Sequence, residues 1–157
     1  MADLPRVNLD ELVPHYDEAD PDGYRAGMAR FGSAIGASQM GATLYELPPG
    51  QSICPYHYEY PEEEWLMVVA GRVLVRHPGG EQELAKGDVV CFPSGPGGAH
   101  KVTCLGDGVA RVLMSSTKQE PAIAVYPDSN KVSIFPGDDR DRLTMRRDTL
   151  DYWDGEA

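Results

Sequence analysis

The sequence predicts an all-β fold built as one compact unit, and three observations predict it. The chain is 157 residues long, about the length of a single domain. It carries 17 glycines and 13 prolines, breakers that leave room for many short strands and few long helices. From Phe31 onward, apolar runs alternate with turn residues at intervals of roughly 8–12 positions, the cadence of a sandwich or barrel.

The elements follow in order. Residues 1–30 read as an N-terminal arm, broken by Pro5, Pro14, Pro21 and Gly23, in which only residues 8–13 offer a helical turn. Residues 31–120 read as the barrel, and a strand around residues 24–35 offers it an edge. The run 42–47 stops at Pro48-Pro49-Gly50, and the run 65–70 stops at Gly71. Residues 72–76 and 82–85 flank His77-Pro78-Gly79-Gly80-Glu81 as a hairpin, its glycines supplying the positive φ of the turn. Residues 89–92 end at Pro93. Residues 101–105 and 110–115 read as a second hairpin around Gly106-Asp107-Gly108. Residues 121–157 read as a C-terminal tail packed on the barrel, with a strand at 131–135 and a short helix or surface ribbon at 138–148.

Composition narrows the function. With 25 acidic and 14 basic residues the net charge is −11, which repels phosphate backbones and anionic lipid, so neither nucleic acid nor a membrane is an expected partner. The first ten residues lack the basic start and apolar run of a secretory signal. Cys54, Cys91 and Cys104 are odd in number and lack metal-finger spacing, as expected of reduced thiols in a cytoplasmic protein.

Two segments hold the candidate site. In 49–64, His57 and Glu59 are two apart and share a face of an extended strand, while Tyr56, Tyr58 and Tyr60 take the other face, as outward packing or a dimer surface. A histidine and a carboxylate on one face are half a metal site. In 87–100, a glycine-rich loop delivers His100 to a new strand, whose inward face would hold Val102 and Cys104. No helix and no Lys-Ser/Thr pair follows Gly95 to Gly98, so this is not a phosphate loop.

These residues resemble the two motifs of the cupin superfamily. The first runs Gly, five residues, His, any, His, three or four residues, Glu, six residues, Gly. Here six residues separate Gly50 from His57, Glu59 stands in place of the second histidine, and Glu64 and Gly71 keep their spacing. In the second, Gly87, Pro93 and Gly95 fit, His100 follows a loop two residues longer, and Cys104 occupies an asparagine position.

The resemblance implies a jelly-roll (double-stranded β-helix) barrel, commonly a homodimer, binding one divalent metal through His57, Glu64 and His100, with Glu59 at the altered position. A second carboxylate neutralises a divalent ion and shifts the donors toward oxygen, favouring Fe, Mn or Zn. Glu59 is then either a fourth ligand or a catalytic base, and Glu62 and Glu63 are rim charges. The implied function is a metal-dependent enzyme acting on a small, oxygen-rich molecule, of oxygenase, isomerase or lyase type. The alternative is a non-enzymatic small-molecule-binding or sensing cupin with a degenerate metal site. Within the enzyme class, His57-any-Glu59 with His100 also fits the facial triad of the iron and 2-oxoglutarate oxygenases, with Arg111 at the co-substrate position but Leu113 where Ser or Thr is expected.

Overall fold

The computed structural model describes residues 3–137, 142–147 and 150–156. In chain order the strands are β1 (Gly27–Arg30), β2 (Met40–Leu47), β3 (Tyr58–Tyr60), β4 (Glu64–Ala70), β5 (Arg72–His77), β6 (Gly80–Ala85), β7 (Val89–Phe92), β8 (Lys101–Cys104), β9 (Ala110–Thr117), β10 (Ala122–Tyr126), β11 (Lys131–Phe135) and β12 (Leu143–Arg146). They form three antiparallel sheets, ordered β1-β2-β9-β4-β7, β6-β5-β8 and β12-β11-β10-β3.

Period-two burial explains how they stack. Ala110, Val112 and Met114 of β9 and Leu66 and Val68 of β4 are buried, as are Val73 and Val75 of β5 and Val102 and Cys104 of β8. All join one core cluster between the five-stranded and three-stranded sheets. Alternation of this kind buries one face of each sheet against the other. The chain passes between the two sheets at Gly71, whose φ is +75°. A Cβ there would lie 2.8 Å from the backbone at Val109 and Ala110, so only glycine makes this corner.

The all-β expectation holds, and the 72–85 hairpin is present as β5 and β6 with a Pro78-Gly79 turn. Other expectations are corrected. Hydrogen bonding leaves three sheets and does not close into one continuous barrel. The expected hairpin around Gly106-Asp107-Gly108 does not form: β8 pairs with β5, whereas β9 pairs with β2 and β4 in another sheet. Local turn chemistry cannot tell a hairpin from a crossover between sheets.

The terminal segments are woven in. β1 pairs with β2, and His15 bridges to Met28. β10 pairs with β3, the strand carrying Glu59, and continues into β11 and β12. The turn expected at 8–13 is a 3-10 turn at Leu9–Glu11, with the Asn8 side chain accepting from the Asp10 N–H. Of the segment read as helix or ribbon, 143–146 is strand β12; residues 138–141 and 148 lie outside the described residues.

Candidate metal centre

Three side chains from distant parts of the chain converge. His57 precedes β3, Glu64 opens β4, and His100 sits between the glycine loop and β8. The two histidines are tied backbone to backbone: the His100 N–H donates to the His57 carbonyl at 2.8 Å and the reverse bond is 3.1 Å. Gly98 makes this possible, because a Cβ there would lie 1.9 Å from the Pro93 carbonyl oxygen.

Each ring is held by its inner nitrogen. His57 Nδ1 lies 3.1 Å from the Pro55 carbonyl and His100 Nδ1 lies 2.9 Å from the Gly98 carbonyl. A carbonyl oxygen only accepts, so both Nδ1 atoms carry the proton and both Nε2 atoms keep a free lone pair. Those lone pairs point at Glu64: His100 Nε2 is 3.4 Å and His57 Nε2 is 3.9 Å from Glu64 Oε2. Phe92 stacks on the His100 ring at 3.7 Å, and Tyr126 of β10 lies over His57 at 5.8 Å.

Burial sets the charge states. Desolvation lowers the proton affinity of His57, and His100 is pushed down to about 3 by burial and by His57 beside it. Both rings are neutral, as ligands must be. Burial raises Glu64, and raises Glu59, the latter with help from Glu64 and Glu62. The cluster thus holds acceptors and no cation.

Donor atoms of His57, Glu64 and His100 all lie within 4.8 Å of one another. That set fits a divalent transition ion: two oriented imidazoles and one carboxylate, with the Nδ1 atoms locked by backbone carbonyls. Glu59 is not among these three mutually close donors, though it lies as near to His57 as Glu64 does. Its carboxylate approaches His57 Nε2 at 3.8 Å and borders a cavity of about 350 Å³ together with Glu62.

Tyr56 lies under Arg76, and Tyr58 and Tyr60 pack edge to face. Cys104 is a core thiol that donates to the Gly108 carbonyl. Glu63 is an exposed charge accepting from the Trp65 indole. Arg111 does not face the site: it reaches the Leu9 and Leu12 carbonyls and Glu46, strapping the N-terminal segment to the sheet. The 2-oxoglutarate variant loses its co-substrate arginine.

Two neighbours were not foreseen. Cys54 Sγ lies 3.4 Å from His57 Nδ1, and burial pushes this thiol up, leaving it protonated. Its position three residues before His57 is the sequence signal for it. Tyr126 has no local signal, because long-range pairing of β10 with β3 brings it in.

Residues 43–116 match the family model of the Cupin domain. No curated protein matches the chain. Among solved structures, the chain is similar to a sugar phosphate isomerase from a cupin superfamily of Silicibacter pomeroyi, at 26% identity and a TM-score of 0.79, covering 91% of this chain and 93% of that one. A structure from Acidithiobacillus ferrooxidans gives 21% identity and a TM-score of 0.77 over 91% and 92% of the two chains. The polyketide cyclase RemF from Streptomyces resistomycificus gives 20% and 0.59 over 74% and 82%. The latter two likenesses concern the fold.

Proposed function

We propose, from the premise that this chain belongs to the cupin superfamily, that it is a metal-dependent enzyme interconverting isomers of a small phosphorylated sugar. The observation that carries the reading is the convergence of two imidazole lone pairs, His57 Nε2 and His100 Nε2, with the Glu64 carboxylate, all within 4.8 Å of one another. Acceptors gathered without a proton repel, and a divalent ion is the simplest charge that holds them. The name of the relative from Silicibacter pomeroyi supports the substrate class.

His57, Glu64 and His100 would hold Fe, Mn or Zn. Bound there, the ion supplies Lewis-acid polarisation of a carbonyl and its neighbouring hydroxyl. Glu59 is the base. It borders the cavity beside the cluster; burial and the charge of Glu64 raise it to about 9, and a cation bound beside it would draw it back toward the range of a base working near neutrality. It takes the proton from the carbon next to the carbonyl and returns it to the former carbonyl carbon, while a hydroxyl proton moves between the two oxygens. Nothing is oxidised or reduced overall. Tyr126 and Phe92 hold the imidazole planes.

The test is elemental analysis of the purified protein, then of His57→Ala, Glu64→Gln and His100→Ala. Near-stoichiometric metal in the wild type and a sharp loss in each variant are expected. Less than about a tenth of an equivalent in the wild type, with no uptake on reloading, would leave a metal-free binding protein. One contact favours that second reading: Glu64, raised by burial, can carry a proton to His100 Nε2 across 3.4 Å. The proposal extends to a homodimer in the cytoplasm, supported by the three free thiols and by Trp65 and Val89, 51% and 52% exposed. A dimeric mass by light scattering is the expected outcome.

A further inference from the structure

The face of the five-stranded sheet that presents Glu64 carries a second chemistry. In the register, Glu64 lies opposite Ser116 and Ser116 opposite Gly41. Two residues along, Met114 lies opposite Thr43 and Thr43 opposite Arg30. Cross-strand partners share a face, so Ser116, Thr43 and Arg30 stand on the side of Glu64. Gly41 carries no side chain in this row, and the Ser116 hydroxyl occupies the space above it, 2.9 Å from where a Cβ would lie.

The row borders a cavity of about 380 Å³ lined by Arg30, Ser33, Thr43, Ser116 and Lys118, together with Gly32 and Gly41. It combines two cations and three hydroxyls with, among the described residues, no carboxylate. In a chain of net charge −11, such a lining is a local reversal of sign. Arg30 and Lys118 also border the cavity whose wall includes Glu59 and Glu62. The two cations therefore form the ridge between an acid-free trough and the cavity at the candidate base.

We propose that this trough is an anion subsite that seats the phosphate group of the substrate, with Arg30 and Lys118 supplying charge and Thr43 and Ser116 supplying hydroxyl donors. A molecule lying across the ridge places an anionic end in the trough and its hydroxylated end beside Glu59. Cations with hydroxyls recognise a phosphate's several oxygens, while the carboxylates on the far side reject a second anion. The nature of the hydroxylated end rests on the isomerase reading; the anion subsite does not.

The experiment titrates the full-length, metal-loaded protein with inorganic phosphate, D-ribose 5-phosphate and D-ribose by calorimetry, and follows exchange of the C2 proton of the phosphorylated sugar in deuterated water. The wild type is expected to bind the phosphorylated sugar at least about tenfold more tightly than the free sugar, and Arg30→Met/Lys118→Met is expected to erase that preference. Both residues are exposed, so melting should be unchanged, and Lys86→Met, away from both cavities, should bind as the wild type does. Failure of the wild type to bind either phosphate compound, or full retention of the preference in the double variant, overturns the subsite. Preference lost in the double variant with no C2 exchange in the wild type retains the subsite and overturns the isomerase reading alone.

Discussion

Gly98→Ala tests whether the glycine loop is built to place His100. The new Cβ would lie 1.9 Å from the Pro93 carbonyl oxygen, 2.9 Å from the Pro93 carbonyl carbon and 3.0 Å from the Phe92 carbonyl carbon. Ordinary contact is about 3.5 Å, so the loop must open by roughly 1.6 Å, and no rotamer change relieves it because every neighbour is backbone. Gly98 is also the residue whose carbonyl holds His100 Nδ1 at 2.9 Å. A shift of that size breaks the bond and slides His100 off Phe92, on which it stacks at an interplanar angle of 7°. Overpacking of this kind destabilises by about 2 kcal/mol, a melting-point drop of about 4–8 °C for a chain of this length. Loss of the orienting bond weakens metal binding by about 10–100-fold. Differential scanning calorimetry reads the first effect and chelator competition the second. Gly97→Ala is the control, because nothing lies within 4 Å of a Cβ there. Wild-type melting and metal affinity in Gly98→Ala, or equal losses in both variants, would refute the steric account.

Three further outcomes are expected. Between about pH 7 and 8, above the ordinary histidine range and below the ordinary thiol range, the raised carboxyls Glu59 and Glu64 dominate: the unfolded chain has released protons that the folded chain still holds, and metal-free stability falls as pH rises through the raised values. Below pH 6.5 His57 and His100 act with the opposite sign, since only the unfolded chain binds their protons; a flat melting temperature from about pH 7 to 8 in chelator, or an equal slope with metal bound, would contradict this. Glu59→Gln keeps metal occupancy and abolishes C2 exchange, because Glu59 lies outside the cluster of three donors; loss of occupancy would make it a ligand. Arg111→Met removes bonds to the Leu9 and Leu12 carbonyls at 3.0 and 3.3 Å and destabilises by about 2 kcal/mol, with metal content unchanged by elemental analysis; lost metal would return Arg111 to the site.

Glu64 was legible from its spacing to Gly71, and His57 and His100 from the glycines that turn the chain before them, Gly50 and Gly95, at spacings one and two residues longer than the motif's. Loop length matters less than it seems, since the longer glycine loop still ends with His100 bridged to His57. Phe92, Cys54 and Tyr126 were less legible as neighbours of the site. The first two sit in or beside apolar runs, where composition points to core, and the third depends on a pairing between β10 and β3 that closes a long loop. β12 was hidden for another reason: all four of its residues are exposed, so it has no alternation to read.

Alternation assigns a face but not a neighbour. Val102 and Cys104 alternate in the same way as Ala110, Val112 and Met114, and the two sets pack from opposite sheets into one core. The same limit governs the site. That Gly41 and Thr43, Ser116 and Met114, and Glu64 and Leu66 each point to one side follows from a period of two. That Gly41, Ser116 and Glu64 form a single row requires the strand order β2-β9-β4, which joins residues far apart in sequence. Once that order is known, Glu64 of the candidate metal cluster and Ser116 and Gly41 of the cationic trough fall in that one row of a single surface. Neighbours in that row stand one strand spacing apart, about 4.8 Å, so Ser116 is the trough residue next to Glu64 and Gly41 lies one strand further on.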